Sequence, residues 1–260
     1  MAILLFFNFI EYIYYMNQNT IKKERYFIDV LSNVIIAIAV LFVLGMAIKD
    51  DIAQVFKSGE PQAYYNGDTA KNNISLMINV YWGTEYIDDM LLVFEKYDIK
   101  CTFFIGGCWA ANNQDVLKDI AQHGHEIGNH GYFHKDHKNL SRERNREEIY
   151  VTEKLIESIC GKKTTLFAPP SGSYNKLTLE VADELGYKTI MWTKDTIDWR
   201  DKNTSLIYKR ATTKASNGDL ILMHPTKNTL EALPDIIKTL KEKGFNLVTV
   251  SENIATVSKV

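Results

Sequence analysis

Short apolar runs alternate with amphipathic, helix-like stretches through most of residues 74–250. This alternation is typical of repeated βαβ units, so we expect an α/β fold built on a parallel sheet. Periodicity does not decide whether about seven such strands close into a barrel or stay in an open sheet. The predicted strands are Ile74–Tyr81, Cys101–Ile105, Glu126–Asn129, Thr165–Phe167, Lys188–Trp192, Asp219–Met223 and Phe245–Val250, and the predicted helices are Tyr86–Tyr97, Gln114–Gln122, Arg142–Ile159, Lys176–Leu185 and Leu230–Lys243.

An apolar run of about 22 residues, Phe27–Ile48, precedes this pattern. It is long enough to cross a bilayer, which takes ~20 residues. Lys22, Lys23 and Arg25 lie just before it, so the positive-inside rule keeps the N-terminus in the cytoplasm and exports the rest of the chain. We favour an uncleaved anchor over a cleaved signal peptide, which has a shorter apolar core, and over a buried core helix.

The chain is therefore expected to have four parts. Its first fifteen residues are an apolar stretch that ends just before Met16, so they fit an upstream extension from a wrongly assigned start codon. The parts are a cytoplasmic N-terminus at 1–26, a transmembrane anchor at 27–48, a polar linker at 49–71 and a large extracytoplasmic domain at 72–260.

Charge and cysteine content exclude two function classes. A formal net charge of -2, with no polybasic stretch in the exported part, argues against a nucleic-acid partner. The three cysteines form neither a disulfide framework nor a Cys-x-x-Cys zinc motif.

Five of the six histidines fall between His123 and His137. Two of them, His130 and His134, are four residues apart, a spacing that allows two imidazoles to bind one metal ion. Such pairs also occur on solvated helix faces, but glycines punctuate this stretch and favour a turn at a strand end. The sixth histidine, His224, follows an apolar run that would present it to a shared cleft. A metal ion with a remote titratable group suggests hydrolysis.

Four sequence blocks together resemble the polysaccharide deacetylases, the NodB-homology domain of carbohydrate esterase family 4. The blocks are Gly-His-Glu-Ile-Gly-Asn-His-Gly-Tyr-Phe-His at 124–134, Ala-Pro-Pro-Ser-Gly-Ser-Tyr at 168–174, Asp-Thr-Ile-Asp-Trp at 195–199 and Leu-Met-His at 222–224. The resemblance spans roughly residues 72–255. It implies a distorted (β/α) barrel, usually of seven strands, that removes acetyl groups from glycans such as peptidoglycan or chitin.

The resemblance also implies roles for individual residues. His130 and His134 match the two metal-binding histidines, and the metal of the family is usually zinc. His224 matches the general acid that protonates the leaving amine, and Asp198 matches the carboxylate that holds it and favours its charged form.

Four further residues match the substrate-binding loops of the family. Trp199 corresponds to the aromatic wall of the acetyl pocket, and Tyr174, Pro170 and Gly172 belong to the block that follows the fourth predicted strand. Taken singly, the aromatic residues would be ordinary core or rim side chains, and Pro170 with Gly172 would be a rigid turn.

Three positions depart from the family pattern. The first motif of the family, Thr-Phe-Asp-Asp-Gly, supplies the general base and a third metal ligand, but Tyr81 and Trp82 stand where both aspartates belong. Tyrosine has a pKa of ~10 and indole only donates a hydrogen bond, so neither replaces a carboxylate at neutral pH. Ala168 stands where the family has an arginine that pairs with the base, so both partners of that pair are missing.

Three functions remain open at this stage. In the first, the protein is still a deacetylase of reduced activity, with Glu85 or His137 as the replacement third ligand and a metal-bound hydroxide that needs no separate base. In the second, it is an inactive glycan-binding protein of the envelope or of sporulation. In the third, it is an anchored scaffold for a protein partner.

Overall fold

The computed structural model describes residues 31–42 and 60–255, which belong to two compact units, Met1–Ser58 and Gly59–Val260. In the first unit, residues 31–42 are helical. Within the described ranges, no helix is both long and apolar enough to span a bilayer. The predicted N-terminal part, both ends of the predicted anchor at 27–48 and the first residues of the predicted linker lie outside the described residues.

The second unit contains strands and helices in alternation. The strands are β1 Ala63–Tyr64, β2 Asn73–Val80, β3 Thr102–Ile105, β4 Glu126–Asn129, β5 Leu166–Phe167, β6 Lys188–Ile190, β7 Lys194–Asp195, β8 Leu220–Met223 and β9 Asn246–Leu247. The helices are α1 Ile87–Lys96, α2 Gly107–Asn112, α3 Gln114–Gln122, α4 Arg142–Cys160, α5 Lys176–Glu184, α6 Thr204–Thr212, α7 Lys227–Glu242 and α8 Val250–Ile254. All seven predicted strands and all five predicted helices are present, with ends shifted by a few residues.

The strands form one curled sheet in the order β1-β6-β5-β4-β3-β2-β8-β7, and β9 pairs with the start of β2. Every pair is parallel. This confirms the α/β parallel fold and is consistent with a distorted (β/α) barrel, here a half-barrel whose path ends at β1 and β7 in the described part of the chain. The sheet has nine strands rather than about seven, because β1 and β7 are too short to show a periodic pattern.

Two hydrophobic layers result from the alternation of side chains along β2. Leu76, Ile78 and Val80 pack outward against the helices, within the main core. Met77 packs inward in a second cluster, with Phe104 and other residues of neighbouring strands. The inner cluster therefore fills the curl of the sheet below its carboxyl ends.

Gly128 in β4 is required by this inner packing. A Cβ atom at this position would lie 2.4 Å from Cδ1 of Phe104, far closer than two carbon atoms can approach. The sequence predicts a turn for the glycines of this segment, but Gly128 lies within the strand and makes room for an aromatic ring.

Candidate active site

A cavity of about 290 Å³ lies at the carboxyl ends of the strands. It brings together His130, His134, Trp199 and His224, which are distant in sequence. This is the position expected of a functional site in a parallel α/β sheet. The remaining lining residues are Asn79, Trp82, Ser171, Trp192, Asp195 and Leu222.

His130 is buried directly after β4 and is held by the main chain. Its Nδ1–H donates to the carbonyl oxygen of Ala168 at 2.7 Å. Burial and the neighbouring His134 lower the pKa of His130 to about 3, so the ring is neutral at physiological pH. Since Nδ1 carries the proton, Nε2 presents a lone pair.

His134 lies on the loop after β4 and has a left-handed φ of 53°. Its ring centroid is 5.1 Å from that of His130, with the planes 72° apart. Burial lowers the pKa of His134 as well. Glu148 of α4 shapes this loop, because its Oε2 accepts the backbone N–H groups of Tyr132 at 2.8 Å and Phe133 at 2.7 Å.

The residues around this histidine pair do not complete a metal site. Within residues 31–42 and 60–255, no three His, Cys, Asp or Glu side chains are grouped closely enough to hold a metal ion. Neither candidate third ligand forms such a group with the pair. Glu85 accepts the N–H of Thr84 at 3.0 Å, and His137 is held through Nδ1 by Oδ1 of Asn145 at 2.7 Å, while its Nε2 has no hydrogen-bond partner among the described residues. A catalytic zinc ion takes three protein ligands, so two imidazoles alone do not fit the group.

Aromatic rings occupy the place of the missing aspartates. The Tyr81 ring is tilted against His134, with centroids 4.6 Å apart. Burial raises the pKa of Tyr81, so its phenol stays protonated and does not act as a base at neutral pH. The indole of Trp82 stacks on His224, with centroids 5.3 Å apart and planes 19° apart.

Asp198 and His224 form a buried pair across β7 and β8. Oδ1 of Asp198 lies 2.7 Å from Nδ1 of His224, and Oδ2 accepts the backbone N–H of His224 at 2.7 Å. The same Oδ2 accepts the hydroxyl of Thr229 at 2.5 Å. These contacts fix the ring, with Nε2 as the nitrogen left for a substrate.

The loop before Asp198 is strained in the way that functional loops often are. Ile197, a β-branched residue, has a φ of 53°, a conformation that such side chains avoid. The carboxylate of Asp195 accepts the N–H of Ile197 at 2.7 Å and so stabilises the turn. This turn presents the indole of Trp199, which is 54% exposed, at the cavity.

The predicted substrate loop is placed only partly at the cavity. Ser171 lines the cavity, whereas its neighbours Pro170 and Gly172 are not among the lining residues. Both lie in a 3₁₀ turn at Pro170–Gly172, and a Cβ atom on Gly172 would lie 2.8 Å from the ring of Trp192, which explains the glycine. Tyr174 does not line the cavity. Its hydroxyl lies 2.7 Å from that of Tyr65, and burial raises the pKa of Tyr174 to about 12.

Five lining residues were missed by the sequence analysis, although each had a signal. Asn79 is the one amide in the predicted strand Ile74–Tyr81, and Trp192 ends another predicted strand. Asp195 and Ser171 lie within blocks that resemble the family, next to predicted site residues, and Leu222 opens the block that contains His224.

The fold and this site define a deacetylase-like α/β protein. The family model for polysaccharide deacetylase matches residues 66–190. A peptidoglycan-N-acetylglucosamine deacetylase of Bacillus cereus is 32% identical over 204 residues, which cover 75% of this chain and 95% of that protein. The chain therefore belongs to the polysaccharide deacetylase family, in which the relatives named as peptidoglycan deacetylases are hydrolases.

Two other relatives are more similar in sequence. The uncharacterised protein YlxY of Bacillus subtilis is 43% identical over 196 residues, and the aligned part covers 75% of this chain and 61% of the length of that protein. A family-4 carbohydrate esterase pseudoenzyme of Bacillus anthracis, solved by crystallography, is 38% identical with a TM-score of 0.74 over 76% of this chain and 70% of that one. A mutant of that pseudoenzyme has restored enzymatic activity.

Proposed function

We propose that this chain is a membrane-anchored, extracytoplasmic deacetylase-like protein that binds an acetylated glycan of the peptidoglycan or chitin type and hydrolyses its acetyl groups slowly. The observation that carries the proposal is the buried Asp198–His224 pair, which opens on the same cavity as His130, His134 and three indoles. The named deacetylase relatives act on peptidoglycan, which supports this class of substrate.

Hydrolysis of an acetamido group needs a proton donor for the leaving amine and an activated water molecule. His224 is the proton donor, because Asp198 holds its ring through Nδ1 and leaves Nε2 for the leaving amine. Activation of the water molecule lacks a residue, since Tyr81 stays protonated where the family has its general base. A general base contributes roughly 10²- to 10⁴-fold to a rate, so we expect turnover to be slower by at least that factor than in relatives with both aspartates.

Deacetylases of this family are generally metal-dependent, and zinc is the metal that the resemblance implies. His130 and His134 supply two of the three protein ligands that such a site takes. Because the described residues do not complete the site, we assign no reaction step to a metal ion.

A second function is favoured by the same departures. If the water is never activated, the protein binds glycan without turnover, as a pseudoenzyme. The substitution of both aspartates by aromatic residues and the 38% identity to a family-4 pseudoenzyme support this alternative. The protein-scaffold function has no comparable support and stays a prediction.

Amine release from an N-acetylglucosamine tetramer separates the first two functions. The full chain in detergent is compared with His224→Asn, with Asp198→Asn and with Tyr150→Ala, which changes an exposed ring outside the cavity. Release that both site variants abolish and that Tyr150→Ala retains supports slow hydrolysis. Tetramer binding with no release above the buffer blank supports the pseudoenzyme.

The location rests on Phe27–Ile48 and on the basic residues before it. Protease added to intact cells should remove the domain at 72–260 and leave the N-terminus protected. Digestion that requires lysis would contradict the proposed orientation.

A further inference from the structure

Asn79 has a buried amide oxygen without a hydrogen-bond partner among the described residues, and its side chain lies at the inner wall of the cavity. The unpartnered atom is Oδ1, and the residue is only 4% exposed. A buried amide without a partner destabilises a protein, whereas an apolar side chain of similar size would not. The oxygen of this amide is therefore costly to the fold unless a ligand or an ordered water molecule in the cavity supplies the partner.

Trp82 is the second unexplained feature of the cavity. One face of its indole covers the His224 ring, yet 44% of the residue is exposed. A flat, apolar surface of this kind at the edge of a small cavity is suited to the C–H face of a pyranose ring. Trp82 stands where the family has an aspartate that binds the metal ion, so this position now offers an apolar surface instead of a charged ligand.

We propose that Asn79 and Trp82 together recognise a 2-acetamido sugar, with the pyranose ring stacked on Trp82 and the acetamido group paired with the amide of Asn79. This inference rests on the glycan binding proposed above and deepens it. An acetamido group carries one N–H donor and one carbonyl acceptor, which complement the acceptor and donor of an asparagine side chain. A cavity of about 290 Å³ suits one sugar residue rather than a longer stretch of glycan.

The two residues have different parts in this recognition. The stacking surface of Trp82 accepts any pyranose of suitable shape, because C–H faces are common to all of them. The amide of Asn79 distinguishes sugars, because a plain hexose leaves it unpaired and a site built to pair a polar group rejects a ligand that lacks it.

The test compares two uncharged tetramers with the same linkage, one of β-1,4-linked N-acetylglucosamine and one of β-1,4-linked glucose. Binding to the full chain in detergent is measured by calorimetry. We expect the wild type to prefer the acetylated tetramer by roughly tenfold. Asn79→Leu removes the amide at similar volume and should bring the ratio close to one. Asn79→Thr, which carries the residue of the family motif, is the second variant in case leucine disturbs folding.

Trp82→Ala tests the other half of the proposal. It should weaken binding of both tetramers by the same factor, roughly three- to tenfold, whereas Tyr150→Ala, which removes an exposed ring of α4, should change neither. The inference is overturned if both Asn79 variants keep the wild-type ratio, or if Trp82→Ala binds as tightly as wild type. Should the wild type bind neither tetramer, the proposed function fails, and this inference fails with it.

Discussion

The indole of Trp82 lies parallel to the imidazole of His224, with ring centroids 5.3 Å apart. The residue at the position of a family carboxylate thus covers the histidine that matches the general acid of the family. The contact joins two parts of the site. At the positions where the family has its two aspartates the chain has Tyr81 and Trp82, and Trp82 packs on the Asp198–His224 pair that the chain retains.

Restoring the carboxylates should restore metal binding. In the triple variant Tyr81→Asp, Trp82→Asp and Ala168→Arg, the second aspartate supplies a third ligand beside His130 and His134, and the arginine pairs with the first. We expect zinc content to rise to about one ion per chain and amine release to rise by at least about 10²-fold.

The matched control for this triple variant carries asparagine in place of both aspartates, together with Ala168→Arg. It has the same shape without the charge and should gain neither zinc nor activity. Equal zinc content in both variants, measured by elemental analysis after dialysis, would contradict the ligand assignment.

Thr229 should contribute measurably to stability through Asp198. Its hydroxyl donates to a buried carboxylate at 2.5 Å, and Thr229→Val leaves one lone pair of that charge unsatisfied. A hydrogen bond to a charged group is worth about 1.5–3 kcal/mol, so urea unfolding should show a loss of this size. The control is Thr204→Val, which removes a more exposed hydroxyl bonded to Glu231 and should cost less than about 1 kcal/mol. Equal losses of unfolding free energy in the two variants would show that the buried hydrogen bond from Thr229 to Asp198 stabilises the protein no more than the exposed one does.

Gly128→Ala should destabilise the inner layer by steric contact with Phe104. The added methyl group would lie 2.4 Å from Cδ1 of that ring, and overpacking of this kind typically costs 1–3 kcal/mol. In a Phe104→Leu background the ring is absent, so the cost of Gly128→Ala should shrink. A double-mutant cycle measured by chemical unfolding tests the coupling, and additive effects would refute it.

His125 should make the fold less stable in mild acid. Its ring packs against Phe94 and Phe103, and its Nδ1 accepts the N–H of Cys101 at 3.2 Å. Burial, followed by Lys100 and His123, lowers the pKa of His125 from 6.5 to about 4. The unfolded chain therefore binds more protons between these values, and stability present above pH 6.5 is lost as the pH falls toward 4.

Asn is a non-titrating acceptor for the same N–H group, so His125→Asn should remove this part of the pH dependence. Between pH 7 and pH 5, wild type should lose roughly 1–2 kcal/mol more unfolding free energy than the variant. Urea unfolding at the two pH values provides the measurement. Parallel losses in both proteins would assign the acid sensitivity to other groups.

Much of the fold was predictable from sequence because β2 and β8 are apolar runs flanked by amphipathic helices, a pattern that requires a parallel sheet. β1 and β7 were not predictable, since two-residue strands are defined by their neighbours in the sheet. The histidines and Asp198 were identified through their sequence blocks. For Asn79 the sequence shows only an amide in an apolar strand, and the missing hydrogen-bond partner of its oxygen becomes visible in the packed structure.

The hydrogen bond from His130 to the carbonyl oxygen of Ala168 has an evolutionary consequence. A main-chain acceptor is the same whatever side chain the residue carries, so an ancestral arginine at position 168 could be replaced by alanine without releasing the imidazole. The His130 imidazole would then keep its orientation even after selection for catalytic activity had ended. The orientation of the His130 ring is therefore set by the backbone, whether or not the protein is active. An active enzyme and an inactive descendant would hold this histidine in the same way, and only an activity assay distinguishes them.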